Sequence, residues 1–415
     1  MINIQFYKYN NEILNTQRNI AIVGTTFALI FLWFSFILQT QLLLYMTNKP
    51  FLIRITSYSP IFALVGFFIW LADLVLRSFE NSSSDVVKIT IPLILYLFTR
   101  YAFFYNVITD SFKPLSEVSQ DYTKFISDDP ELVIVHVNVK DSRFGSIDLP
   151  HGAHVIPLRN LIAGDMILSI NSTKKYSLSF CLLFNSIHAY LLPFLDGKQI
   201  EISSNQGSML NGNKVLTDKR GKFIWQQFNG KLIHNSTNKK VNDLIDIRIT
   251  RAIWSHTMEL YRDALFYHRK VNFSIYFFFR SIGKLVKNFN HLGFSRGGTN
   301  TSLKKKIPII GISIIGEGQK AYPYEMFNPN EISILEDKIG TIEFSFIFNG
   351  LGAYAYKITG LHFEDNLLNK EEKSWSLNGV ANGEYENLVP LHITEHAYWY
   401  LWNKFYPNTE IYKVN

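Results

Sequence analysis

The chain repeats itself. "FCLLFNSIHAY" (180–190) lies over "FSFIFNGLGAY" (344–354), sharing Phe180 with Phe344, Phe184 with Phe348, Asn185 with Asn349, Ala189 with Ala353 and Tyr190 with Tyr354. Upstream, "AHVIPLRNL" (153–161) lies over "QKAYPYEMF" (319–327), aligning Pro157 with Pro323. Downstream, Trp225 in "GKFIWQQFNG" matches Trp375 in "KSWSLNG", and Trp254, Tyr261 and Tyr267 match Trp399, Tyr406 and Tyr412. With the blocks in one order, whatever the first half folds into the second must fold into as well. Each half reads as β-rich: a strand running into proline, alternating strands in a hairpin, a Trp-bearing turn and a short amphipathic helix. In "AYWYLWNKFYP" the residues Tyr398, Leu401, Trp402 and Phe405 fall at helical spacing, and Pro407 stops the helix. Ile253, Trp254, Thr257, Leu260 and Tyr261 supply the matching face in the first half.

The N-terminal region follows another rule. No charged residue interrupts the chain between Arg18 and Lys49, which exceeds the ~20 apolar residues that cross a bilayer. Two further apolar runs follow, so the sequence predicts three transmembrane helices at about 19–46, 59–77 and 88–108. Arg100 sits inside the third, and Asp73 in the second is its expected partner, a pair read as gluing helices or docking a subunit rather than as a proton relay. Positive charges divide evenly between the two sides and do not orient the anchor. The expected organisation is an anchor (1–108), a linker (109–131), a first soluble repeat (132–267), a basic aromatic connector (268–306) and a second repeat (307–415). The expected fold class is a membrane-anchored α+β protein: three transmembrane helices, then a duplicated β-rich domain with a short amphipathic helix closing each repeat.

Charge and motif content exclude several functions. The net charge of +7 comes from scattered residues, without the basic face or motif of a nucleic-acid binder. Cys181 is the only cysteine, so no intramolecular disulfide forms. Cys181, His188 and Asp218, with His151 and His154, are the residue types of a copper or zinc site, but their spacing assembles no ligand set, and no metal or cofactor is expected. No nucleophile elbow, phosphate loop or zinc-protease motif is present, so no catalytic residues are assigned. A binding role has better material: Trp225, Trp375 and Asp218 are expected near the rim of a cleft between the repeats, with Cys181 and His188 as further candidates, suiting a sugar, a peptide or a lipid headgroup.

The blocks "IPIIGISIIGEGQKAYP" (307–323), "LNGNKVLTDKRGKFIWQQFNGKLI" (210–233) and "YWYLWNKFYPNTEIY" (398–412) resemble the bacterial domain-of-unknown-function 3179 family, over about residues 140–415. The family usually has Cys-Pro-Leu-Cys where this chain has "CLLF"; Cys181 matches the first cysteine and Phe184 stands for the second. Asp218 keeps the family's aspartate, while Asn369 holds that place in the second copy. The resemblance implies an exported or anchored protein, hence an inner-membrane location with the β domain on the periplasmic side. The functional expectation is a non-catalytic accessory subunit of a membrane complex, with the bilayer and other membrane subunits as partners. The alternatives are a tethered module binding a small ligand between the repeats, and a degenerate redox or metal protein around Cys181.

Overall fold

The computed structural model describes Ile30 and residues 131–137, 153–162, 165–170, 174–182, 184–210, 213–218, 220–253, 264–267, 302–350 and 352–413. The first half runs β1 (Glu131–His136), β2 (Ala153–Pro157), α1 (Leu158–Ile162), β3 (Met166–Ser169), β4 (Lys175–Cys181), β5 (Ser186–Leu191), β6 (Phe194–Leu195), β7 (Lys198–Gln199), β8 (Ile202–Leu210), β9 (Asn213–Asp218), β10 (Phe223–Gln226), β11 (Leu232–Asn235), β12 (Ile245–Ile247), β13 (Ile249–Ile253) and β14 (Leu265–Phe266). The second runs β15 (Pro308–Ile314), β16 (Gly318–Pro323), β17 (Ile332–Ile339), β18 (Ile342–Asn349), β19 (Gly352–Tyr356), β20 (His362–Glu364), β21 (Leu367–Lys370), β22 (Lys373–Ser376), β23 (Ile393–Tyr398), α2 (Trp399–Phe405) and β24 (Glu410–Ile411). The chain divides into two compact units. One holds residues 109–203 and 216–415; among the described residues the other holds Ile30, 204–210 and 213–215, which carry most of β8 and the start of β9.

The halves share one strand order. In the first, β13-β1-β2-β14 form a sheet in which β14 runs parallel to β2; in the second, β23-β15-β16-β24 do the same, with β24 parallel to β16. Leu132 pairs with Pro157, and Ile309 with Pro323, so the two prolines end equivalent strands. A helical turn follows each: α1 after Pro157, and a 3-10 turn over Tyr324–Met326 after Pro323. A second sheet, β12-β5-β4-β3, corresponds to β17-β18-β19, to which Pro390 adds a bridge at Tyr356.

Hydrophobic patterning explains these strands. "LVIVH" in β1 is apolar without alternation because both its faces are covered: Val133 and Val135 enter one core, Leu132 and Ile134 another. "FSFIF" in β18 alternates, sending Phe344, Phe346 and Phe348 into one core and Ile347 into a second that contains Trp375. The first half has the counterpart of each: Tyr176, Leu178 and Phe180 lie in the first kind of core, Tyr190 and Trp225 in the second. In α2 the residues Trp399 through Asn403 are all buried, so the helix is enclosed rather than laid on a surface. The Trp402 ring lies against Gly311, where an added Cβ would come within 2.3 Å of it.

The expected α+β class is corrected here. The described residues are dominated by strands, and α1 and α2, of five and seven residues, are the α-helices among them. No helix among the described residues is long and apolar enough to cross a membrane. The three expected spans lie outside the described residues apart from Ile30, as do Asp73 and Arg100. Ile253, the first residue assigned to the closing helix of the first half, ends strand β13 in register with Glu131, as its counterpart Tyr398 ends β23 just before α2; the rest of that expected helix, residues 254–263, lies outside the described residues.

Candidate functional site at the junction of the two halves

The aromatic candidates are core residues. Trp225 is fully buried, its Nε1 donating to Asn242 O at 3.2 Å. Trp375 is buried in the corresponding core of the other half, its Nε1 donating to Glu386 O at 3.0 Å. They belong to separate cores and share no cleft rim. Asp218 ends β9, and its carboxylate accepts the N–H of Phe223 at 2.8 Å and that of Arg220 at 3.1 Å, which pins the turn into β10.

Cys181 and His188 come together. Strands β4 and β5 form a hairpin in which Ser177 faces Tyr190, Ser179 faces His188 and Cys181 faces Ser186. Opposed residues share a face of the sheet, so all six lie on the side away from Leu178, Phe180 and Ile187. His188 is buried, stacks on Tyr190 with ring centroids 6.0 Å apart and meets the edge of Phe228 at 5.5 Å. Burial pushes its imidazole down to about 4, only partly opposed by Asp246, so it is neutral near pH 7. Four buried atoms on this face have no hydrogen-bond partner among the described residues: Ser177 Oγ, Ser179 Oγ, Ser186 Oγ and His188 Nε2. The turn after β10 lies over them, with Gln227 Nε2 donating to Ser179 O at 3.3 Å and Tyr190 donating its hydroxyl to Gln227 O at 2.7 Å. Phe228 of that turn stacks on Phe405 and meets Trp402 and Tyr406, so the second half holds the turn down.

The second half does not repeat this face. Aligning the ladders through Tyr190 and Tyr356, which pair with Asp246 and Pro390 respectively, puts Ile347 at the place of Ser179, Tyr354 at that of His188 and Gly352 at that of Ser186. Ser345 takes the place of Ser177, and its Oγ is satisfied at 2.8 Å by Glu336 Oε1 and Ile358 O. The same fold is therefore built with an apolar or satisfied face in one copy and an unsatisfied polar face in the other.

Beside it, a carboxylate ties the halves together. Glu395 is buried in β23 and accepts the N–H of Arg251 in β13 and of Ala353 in β19, both at 2.7 Å. Burial pushes it up to about 7, against the two N–H donors and the nearby guanidinium groups of Arg251 and Arg248. In the ladders Thr250 faces Ile134 and Thr394 faces Gly311, which makes Arg251 and Glu395 equivalent. The second copy has one extra residue: His396, at φ 57°, forms a bulge opposite β15. Asn185, also at positive φ, donates from Nδ2 to His396 O at 3.2 Å, and Arg251 Nη2 donates to Asn185 O at 2.8 Å. At the other end, the Arg248 guanidinium lies over Tyr354 and Tyr356, and its equivalent His392 places Nδ1 2.9 Å from Asp246 Oδ2.

Sequence reasoning missed the serines, which occupy ordinary alternate positions in "KYSLSFC", and the junction residues. A signal for the latter was present: "RITRAIW" (248–254) set against "HITEHAYW" (392–399) aligns Arg251 with Glu395. No group of three or more His, Cys, Asp or Glu side chains among the described residues is arranged to hold a metal.

No curated protein and no solved structure matches the chain. A family model described as "Protein of unknown function (DUF3179)" matches residues 128–409, which takes in both halves and the junction between them; the chain belongs to that family.

Proposed function

We propose that this chain is a non-catalytic binding module that holds a small ligand where its two β halves meet. The observation that carries the reading is the set of four buried, unpartnered polar atoms on one face of the β4–β5 hairpin. An unmet buried donor or acceptor costs about 1–3 kcal/mol, and the copy of this face in the second half avoids the cost with Ile347, Tyr354 and Gly352. The second copy shows that this fold can do without unmet groups on the face, so the four buried atoms of the first copy are groups that an entering molecule would partner. His188, the base such a face would offer, has no hydroxyl within hydrogen-bond reach of its Nε2 among the described residues, which favours binding over nucleophilic chemistry. The test is thermal melting of the full chain in mild detergent against a panel of small metabolites. At one hundred times its dissociation constant a ligand adds about 2.7 kcal/mol of stability; a panel that moves no melting curve, with only ordered water on the four atoms in a crystal structure, refutes the reading.

A second reading, an accessory subunit held at the inner membrane, is favoured by the uncharged stretch between Arg18 and Lys49. It expects stoichiometric partners after gentle extraction at native expression, and a lone monomer counts against it.

A further inference from the structure

The chemistry of the face narrows what can occupy it, given the binding reading above. Its unmet atoms are three hydroxyls and one imidazole nitrogen, and each hydroxyl both donates and accepts. The six hairpin residues on this face include no Lys, Arg, Asp or Glu. Of the charged groups around the face, Asp246, which acts on His188, is engaged by His392 at 2.9 Å, and Arg251, beside Ser186, commits its Nη2 to Asn185 O and Oδ1. An ionic ligand would lose its hydration there without a counter-charge, and an apolar one would leave the four atoms unmet. The spacing sets where a ligand's hydroxyls must fall. Ser177 and Ser179 are two residues apart along β4, about 7 Å, and β5 runs about 4.8 Å to the side. A molecule meeting these atoms would carry hydroxyls along one edge at the spacings just given. The parallel rings of His188 and Tyr190 and the edge of Phe228 add flat apolar surface beside the hydroxyls, a combination that suits the C–H faces and the O–H edges of a sugar ring.

We infer that the ligand is a small uncharged polyol or monosaccharide, hydrogen-bonded by Ser179, Ser186 and His188 beneath the turn that carries Phe228. Entry requires that turn to lift. Phe228 is packed against Phe405 at 4.7 Å and against Trp402 at 5.9 Å, so the second half sets how readily the site opens, although it contributes none of the four unmet atoms.

The experiment is saturation-transfer NMR on the full chain in detergent micelles. The probes are linear polyols, methyl glycosides, inorganic phosphate, small carboxylates and alkylamines, each at sub-millimolar concentration to avoid the general stabilisation that concentrated polyols give every protein. Transfer to C–H protons of a polyol or glycoside is expected, with at least a tenfold weakening in Ser179→Val and in Ser186→Ala. Ser186→Ala adds no bulk, so it reports even if Ser179→Val fails to fold. Binding only by a charged probe, weakened by the same substitutions, overturns the ligand class and leaves the binding module standing. Transfer that both substitutions leave intact places the ligand elsewhere and overturns the assignment to this face. Silence from every probe, with water alone on the four atoms in a crystal structure, overturns both.

Discussion

Replacing Glu395 by Gln isolates a buried carboxylate that bridges the halves. In the wild type this group is pushed up to about 7 from its ordinary 4.5. Between those values the native protein binds a proton that the unfolded chain has already released, so the Glu395 contribution to stability falls as pH rises through that window. The interval corresponds to roughly 3 kcal/mol; below pH 4.5 nothing is lost, and above about pH 8 the loss is complete. Gln cannot titrate. Its single carbonyl oxygen can accept from Arg251 or from Ala353 but not from both, so one buried N–H goes unmet at a pH-independent cost of about 1–3 kcal/mol. His188 obscures the effect in the wild type alone, because a histidine held at about 4 makes stability rise with pH over 4 to 6.5. The difference between wild type and Glu395→Gln cancels that term. Urea unfolding of the full chain, followed by tryptophan fluorescence at half-unit steps from pH 4.5 to 8.5, should show the wild type's advantage shrinking by roughly 3 kcal/mol and then levelling. An advantage that stays constant across the range would refute a buried, titrating carboxylate at the junction.

The same instrument reads the other expectations. Gly311→Ala puts a methyl group into the Trp402 ring and should cost about 1–3 kcal/mol; an unchanged urea midpoint would mean that the helix does not seat as described. Gly352→Ala meets backbone, Arg251 O at 2.4 Å, which no rotamer can relieve, so it should destabilise more than Gly311→Ala; the reverse order contradicts the β13–β19 contact. His188→Leu should remove a stability term of roughly 3 kcal/mol that is present above pH 6.5 and lost towards pH 4, leaving a variant whose acid sensitivity is reduced; equal acid midpoints would count against a neutral buried imidazole. Asp218→Ala removes both acceptors of the turn into β10 and should cost about 1–2 kcal/mol without altering ligand contacts.

Much of the β framework can be read from residue order, and the errors have physical causes. Helical spacing from Tyr398 to Phe405 marks α2, and the prolines at 157 and 323 mark equivalent strand ends. The block match of Tyr190 with Tyr354 is out by two residues, because the ladders set Tyr190 against Tyr356. The first hairpin closes over four residues, 182–185, and the second over two, 350–351. A slip of two keeps every side chain on its face, so a pattern search could not detect it. Trp225 and Trp375 attract attention as ligand contacts, yet both fill cores, Trp225 from the apolar strand β10 and Trp375 from β22, whose other residues are Lys and Ser. Glu395 and Arg251 are 144 positions apart, and only the superposition of the copies brings them into one argument. The serine face is harder still, since satisfied and unsatisfied hydroxyls have the same one-letter code.

Strand β13 of the first half meets β19 of the second, while β23 of the second meets β5 of the first, so each half offers the other equivalent strands. That is the geometry of a twofold homodimer written into one polypeptide. In a true homodimer, equivalent positions carry identical residues; two arginines, or two glutamates, would take the places now held by Arg251 and Glu395. Covalent fusion removes that restriction. Two halves in one chain can differ at equivalent places, one side of the pseudo-twofold carrying Arg251 and the other Glu395, one hairpin face keeping its serines unmet while its twin carries Ile347 and Tyr354. The asymmetry needed to bind a single asymmetric molecule is thus available to this chain and denied to a symmetric pair of its halves.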